Sequence, residues 1–323
     1  MFKFFILLGF WLILCLISLG VGSYHLSPSE VLDTLLFATN ERAKDVIFGI
    51  RVPRILLSSI CGAMLAVSGA SLQAVFKNPL VGPNIIGVSS AAAFGGAIAI
   101  LLGFGGIALI FCAFFMGIFA IILLGYIAKF VRQSSIFSLI LSGVVVNGFF
   151  GALISLTQYL ADNEQTLPNI IFWLLGSFIS ANYDKFFILF FISLICGGTL
   201  MVIRWRLNLL SLSDDDIIGL GINPKTLRVI ILLCTTLLIS AQVAMSGNIG
   251  WIGLVVPHMA RFLVGQNYNI NLPVCAILGA VFMLLIDTIS RASVGSEIPL
   301  GILTALIGTP VFVYLLRAQN GKI

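Results

Sequence analysis

Residues 107–128 read IALIFCAFFMGIFAIILLGYIA, from Ile107 to Ala128, without one charged side chain. About 20 apolar residues are what an α-helix needs to cross the hydrocarbon of a bilayer. A membrane-barrel strand crosses in about half that length and alternates polar with apolar, and no such alternation is present here. The run is one of ten. The others centre on 4–22, 53–75, 84–102, 135–158, 184–203, 227–246, 250–267, 272–290 and 299–316. Pro257, His258 and Arg261 interrupt the eighth in chain order, 250–267, which makes it the weakest of the set. The whole chain is 60% hydrophobic and 9% charged, with a mean hydropathy of +1.16. Soluble domains run at about 45–50% apolar and about 25% charged, and a disordered chain lacks this much material to bury. The expected fold class is all-α: a polytopic membrane protein with about ten transmembrane helices, forming one domain over residues 1–323.

Orientation follows from charge. The segment after Met1-Phe2-Lys3 is too long for the core of a signal peptide and lacks an A-x-A site, so it reads as an uncleaved first span. Ten spans return the chain to its starting side. With the amino end inside, eleven of the seventeen Lys and Arg residues fall on inner segments, Arg132 and Lys322 among them. Six lie outside: Arg42, Lys44, Arg51, Arg54, Lys185 and Arg291. Positive charge concentrates in cytoplasmic loops, so both termini are placed in the cytoplasm. The net charge of +5 is therefore membrane orientation, not a nucleic-acid surface. Two connections are long: an outer loop at 23–52, where Ser27-Pro28-Ser29-Glu30 has the form of a helix start, and an inner loop at 204–226.

The inner loop carries the most legible local chemistry. Ser213 caps an acidic first turn of Asp214, Asp215 and Asp216; Ile217, Ile218 and Leu220 follow, and Gly221 stands where a helix stops. Asn223-Pro224 opens the next helix. Two readings stand for this loop: a capped interfacial connector, or a docking element that pushes an apolar edge into a cytoplasmic partner. At the other face, Arg51 and Arg54 begin the second span. They oppose both the helix dipole and the positive-inside bias, so an acidic outside partner or snorkelling to lipid headgroups must account for them. Asp287 and Arg291 form an i,i+4 pair. Gly143, Asn147, Gly151 and Ser155 recur every four residues in the fifth span, as a packing face or as a lining of a pathway. Gly62, Ala66, Ala70 and Gln73 repeat that pattern in the second.

Other chemistries lack their residues. The six cysteines lie inside apolar runs without metal-like spacing, and no metal site is expected. His258 has no second ligand nearby and reads as a hydrogen-bonded structural histidine near an inner helix end. No catalytic triad, zinc-protease motif or phosphate-binding glycine loop is present. No carboxylate stands mid-span, where proton or sodium coupling usually places one. The energy for any transport would enter from elsewhere.

In order along the chain come Arg51-Val-Pro-Arg54, Gly62-Ala63, Ser68-Gly69-Ala70, Gln73, Asn78-Pro79-Leu80, Pro83 and Gly87-Val88-Ser89. Leu141-Ser-Gly143, Trp173-Leu-Leu-Gly176-Ser177 and Gly250-Trp-Ile-Gly253-Leu-Val-Val-Pro257-His258 follow, then Asp287-Thr-Ile-Ser-Arg291, Glu297-Ile-Pro299-Leu-Gly301 and Gly308-Thr-Pro310-Val-Phe312. From about residue 50 onward this series resembles the FecCD-type permeases of bacterial ABC importers, which carry ferric siderophores, haem and vitamin B12. Ala91 stands where the family usually has Gly, Trp251 where it has Phe, and Leu212-Ser213-Asp214-Asp215 where it commonly reads Leu-Gly-Asp-Glu.

The resemblance implies a vitamin B12 permease-like fold and a multi-pass place in the bacterial inner membrane. It implies a second permease subunit, identical or paralogous, and two ATPase subunits that hold ATP and Mg, with no cofactor on this chain. It also implies a periplasmic or lipid-anchored binding protein docked through Arg51, Arg54 and Arg291. By the resemblance the coupling role falls to Ser213, Asp214, Asp215, Asp216, Ile217, Ile218, Leu220 and Gly221; of the two readings of the spaced face Gly143, Asn147, Gly151 and Ser155, the expectation taken is the pathway. The expected cargo is an iron chelate, ferric siderophore or haem, with vitamin B12 or another metal complex as the alternative. The chain itself is expected to be no enzyme. A rival of another class is an ion-driven secondary transporter or channel.

Overall fold

The computed structural model describes residues 2–22, 24–37, 40–130, 135–293 and 296–320; Arg132 and Lys322 lie outside the described residues. Among these, every regular element is helical. In chain order they are α1 (Phe2–Gly20), α2 (Pro28–Phe37), α3 (Glu41–Lys44), α4 (Val52–Val75), α5 (Val88–Leu101), α6 (Gly106–Ala128), α7 (Ser135–Leu160) and α8 (Thr166–Leu174). Then come α9 (Tyr183–Ile192), α10 (Gly198–Val202), α11 (Arg204–Leu209), α12 (Asp214–Gly219), α13 (Pro224–Ser246), α14 (Ile252–Val264), α15 (Tyr268–Ala292) and α16 (Leu300–Asn320). π-helical stretches at Asp45–Arg51 and Ser193–Gly197 join α3 to α4 and α9 to α10. The outer α2 begins as expected: Ser27 Oγ accepts the Glu30 N–H at 3.3 Å, and the Glu30 carboxylate accepts the Ser27 N–H at 2.7 Å, a capping box.

The ten expected spans divide unequally. Among the described residues, eight helices are long and apolar enough to cross a membrane, and two apolar helices, α5 and α14, are shorter. At 1.5 Å per residue these two reach only about 20 Å of a hydrocarbon core about 30 Å thick. Non-helical chain at 77–82 and 247–251 leads into them, the first through a 3₁₀ turn at Pro83–Ile86. Irregular backbone survives at membrane depth only when protein covers it and satisfies its polar groups. Here two buried glutamines do so. Gln73 of α4 donates from Nε2 to the Val81 carbonyl at 3.0 Å, and Gln242 of α13 donates from Nε2 to the Gly247 carbonyl at 3.2 Å. Pro257, inside α14, leaves that helix unbroken.

Both breaks lie against α4, the most enclosed helix, which packs on α13, α14 and α15. The small residues of α4 explain how close the neighbours come. A Cβ added at Gly62 would stand 2.1 Å from the Gly279 carbonyl of α15, and one at Gly69 would stand 1.8 Å from the Gly253 carbonyl of α14. Without a hydrophobic drive between helices in lipid, such close backbone approach supplies the packing. The Gly62/Ala66 spacing is thus a helix crossing, completed by Gly279, whose own added Cβ would meet Ala66 Cβ at 2.6 Å.

Contacts between ends sort the loops into two sets. Lys3 Nζ donates to the Leu263 carbonyl, Lys77 Nζ to that of Leu212, and Arg204 Nε to that of Asn269. At the opposite end, Tyr183 Oη donates to the Phe48 carbonyl, and the Leu300 N–H to that of Gly176. These are the inner and outer sets expected from span counting. Gly62→Leu should lower the stability of the purified protein by about 1–3 kcal/mol or prevent its accumulation. Gly125→Leu, at a position open to the surroundings, should leave the midpoint of thermal unfolding unchanged.

Candidate functional site

At the outer end, the arginines expected to meet a docking partner are instead turned inward. Arg51, Arg54 and Arg291 are 3%, 4% and 7% exposed. Arg54 donates from Nε to both Asp287 oxygens (2.9 and 3.2 Å) and from Nη2 to Oδ1 (2.8 Å), while Nη1 and Nη2 reach the Glu297 carboxylate at 2.8 and 2.7 Å. The i,i+4 pair read from the sequence is present, with Arg291 Nε 3.2 Å from Asp287 Oδ2. Arg51 donates to the carbonyls of Leu19 and Tyr24. Arg291 donates to the Ser18 carbonyl at 3.2 Å and to Ser18 Oγ. Arg51 and Arg291 therefore clamp the carbonyl end of α1, which carries partial negative charge and unsatisfied acceptors. That accounts for arginines outside against the positive-inside bias: their partners are in the chain. Direct docking through three free guanidinium groups does not fit this burial.

At the inner end, the capped helix forms where the sequence places it. Ser213 Oγ accepts the Asp216 N–H at 3.2 Å and donates to Asp216 Oδ2 at 2.6 Å. Gly221 takes φ +77°, and the Ile222 N–H returns to the Ile217 carbonyl, closing the helix through a left-handed residue. Asp214 turns back onto Arg228 of α13, at 2.5 and 2.9 Å. The Arg228 guanidinium holds that carboxyl below the usual carboxylate range. Asp215 stays exposed. The apolar edge needs one correction: Ile217 is fully buried, packed into the core, whereas Ile218 and Leu220 are each 59% exposed. Ile217 and Ile218 are consecutive and point about 100° apart, and Leu220 is the C-cap beyond the last residue of α12, outside its helical face.

The four-residue series on α7 divides for the same reason. Four residues make about 400° of turn, so the series drifts about 40° per step. Gly143 is buried, and a Cβ there would stand 2.2 Å from the Ile85 carbonyl. Asn147, exposed, accepts a hydrogen bond from Ser90 Oγ; Gly151 is half-buried; Ser155, exposed, donates to the Gly151 carbonyl at 3.2 Å. Gly143 is a packing residue, and the remaining three stand on the open side of α7.

His258 is buried, as expected for a structural histidine, and stacks edge-on against Phe312 at 5.0 Å between centroids. Arg261 donates to its Nδ1 at 2.7 Å and to Gln73 Oε1 at 2.6 Å. Neither the Gln73–Arg261 bond nor the Arg54–Asp287–Glu297 cluster was anticipated from the sequence. Shared sidedness was the available signal, since all members of each set fall at one end of their spans.

Eight apolar helices of membrane-crossing length and two shorter ones, among the described residues, define a polytopic helical membrane protein. A family model described as the FecCD transport family matches residues 10–318. The chain is 43% identical to the molybdate import system permease of Haemophilus influenzae over 97% of this chain and 96% of that one. It is 38% identical to an iron chelatin transport system permease of Helicobacter pylori, with 96% of each covered. A solved structure described as an inward-facing conformation of a metal-chelate type ABC transporter superposes with a TM-score of 0.90 at 42% identity, covering 98% of this chain and 99% of that one. The chain belongs to the FecCD transport family, as an ABC importer permease of the vitamin B12 permease-like fold, and the ion-driven rival falls away.

Arg54→Met should leave buried Asp287 with Arg291 alone and Glu297 without its ion pair, at a cost of up to about 3–5 kcal/mol. Adding Glu297→Gln should recover part of that loss, because the carboxylate that Arg54 answered is then uncharged while Asp287 keeps Arg291. Thermal unfolding of the two purified variants checks this.

Proposed function

We propose that this chain forms, with a second permease subunit, the membrane pathway of an importer in the bacterial inner membrane. Two ATPase subunits on the inner face hold ATP and Mg, and a binding protein delivers the cargo outside. The observation that carries this reading is α12: a helix capped by Ser213 and tied down by the Asp214–Arg228 pair, yet presenting Ile218 and Leu220 to the inner side. Exposed apolar side chains on a fixed element mark a contact surface. Ser213, Asp216 and Gly221 shape the helix, Asp214 and Ile217 anchor it, and Ile218 and Leu220 meet the ATPase, with Asp215 beside them. Asn147, Gly151 and Ser155 line the pathway from the open side of α7. The binding protein rests on the outer surface that the arginine network stiffens from beneath.

Two cargo classes have support. An iron chelate, ferric siderophore or haem, follows from the sequence motifs and is in keeping with the name of the Helicobacter relative. Molybdate follows from the name of the more similar Haemophilus relative. Proteoliposomes holding the permease, its ATPase and its binding protein, supplied with ⁵⁵Fe chelate, labelled vitamin B12 or ⁹⁹Mo molybdate, distinguish them by ATP-dependent uptake. Uptake of none would refute the cargo reading.

Ile218→Asp with Leu220→Asp places charge in an apolar contact, which is costly without a pairing partner. This variant should fold normally, because both side chains are exposed. It should lose co-purification of the ATPase, or the stimulation of hydrolysis by loaded binding protein. Ile217→Asp, by contrast, should damage the permease itself, with reduced accumulation in the membrane.

A further inference from the structure

At the inner face, between the end of α4, the start of the first helix break, α11 and the turn from α14 to α15, lies a cavity of about 740 Å³. Its walls include Lys77, Asn78, Asn208, Arg261, Gln266 and Asn267, along with His258 and Tyr268, and no carboxylate is among the lining residues. Arg261 is the centre of the puzzle. Its guanidinium is partly buried, and it donates only to two neutral groups, Gln73 Oε1 and His258 Nδ1. Because Nδ1 accepts, the histidine there is neutral. No ion pair reaches Arg261 among the described residues. Guanidinium carries five N–H donors, and these two bonds leave three without a protein acceptor among the described residues, on a side chain that lines the cavity. Lys77 brings a second positive charge, and its Nζ donates only to the Leu212 carbonyl. The carboxylate whose field reaches Lys77 is Asp214, and that group is already held by Arg228.

The contrast with the outer end is direct. There, three buried arginines have two carboxylates and a helix carbonyl end to answer them. Here, two cations and several amide side chains face one space without any negative charge. Lys77 is exposed and Arg261 half-buried; for Arg261 a charge taken partly out of water is costly unless paired, and Arg is the side chain best matched to the paired oxygens of an oxyanion.

We propose that this cavity is a binding site for a tetrahedral oxyanion, held by Arg261 and Lys77 and oriented by the surrounding Asn and Gln amides. The volume admits a free oxyanion with its water or a phosphate that carries an organic group, so free phosphate and a phospholipid headgroup share this chemistry. Lys77 links the site to the inner loop: it holds Leu212, the residue before the Ser213 cap. An anion that draws Lys77 away from that carbonyl acts at the base of α12. The proposal concerns the isolated permease and stands whichever cargo is carried.

The test uses the full-length chain purified in detergent. Binding of radiolabelled inorganic phosphate, and of sulfate and molybdate as competitors, is measured by equilibrium dialysis, and co-purified phospholipid by native mass spectrometry. Charge-assisted hydrogen bonds contribute about 1.5–3 kcal/mol, so Arg261→Gln should weaken phosphate about tenfold or more. Lys77→Gln should weaken it several-fold, and Arg317→Gln, an equal loss of charge on the exposed inner end of α16, should leave it unchanged. Should Arg261→Gln fail to fold, the comparison of Lys77→Gln with Arg317→Gln decides alone. A bound phospholipid, lost from Lys77→Gln but kept by Arg317→Gln, assigns the same site to a headgroup. Absence of both saturable oxyanion binding and bound phospholipid overturns the proposal, as does equal weakening by Lys77→Gln and Arg317→Gln.

Discussion

Every part of this structure depends on one constraint: a backbone polar group inside the bilayer has no water to turn to. Eight spans meet it with their own helical hydrogen bonds. The two breaks before α5 and α14 cannot, and the fold is organised to cover them. Gln73 and Gln242 supply donors to stranded carbonyls. Gly62, Gly69, Gly253 and Gly279 let α4 and its neighbours close to backbone contact around the breaks. The small residues of α4 and the buried glutamines thus serve the same end.

Charge is handled differently at the two faces. Outside, Arg54 answers Asp287 and Glu297, while Arg51 and Arg291 answer the carbonyl end of α1. This network joins α1, α4, α15 and the segment leading to α16, and it fixes their outer ends as one body. Buried ionic groups of this kind are a weak source of net stability, but removing one partner is expensive. Inside, the Asp214–Arg228 pair pins α12 to the start of α13 and leaves Ile218 and Leu220 outward. One end is locked within the chain, and the other presents a fixed surface.

Much of this was legible from residue order. Ser213 and Gly221 delimit α12 because capping is local chemistry, decided within a few residues. The same holds for Ser27 and Glu30 at α2. The α7 series was legible only in part: a four-residue spacing marks small residues but not a constant face, so Gly143 and Asn147 separate into buried and open. Arg54 and Asp287 stand 233 positions apart, and no local pattern links them. Ile217 and Leu220 read alike as apolar residues of one turn, yet only the fold shows which faces the core.

The sequence by itself determined the class, the number of apolar spans, the sorting of loops to two faces and the caps of the short helices, because hydrophobic length, charge bias and capping act within about 20 residues. Tertiary structure decided which spans are broken, where buried polar groups find partners, and whether an arginine at a helix end faces a neighbour or the surroundings. Those outcomes rest on groups brought together from distant parts of the chain, and the free energy of a buried charge is set by what surrounds it in space.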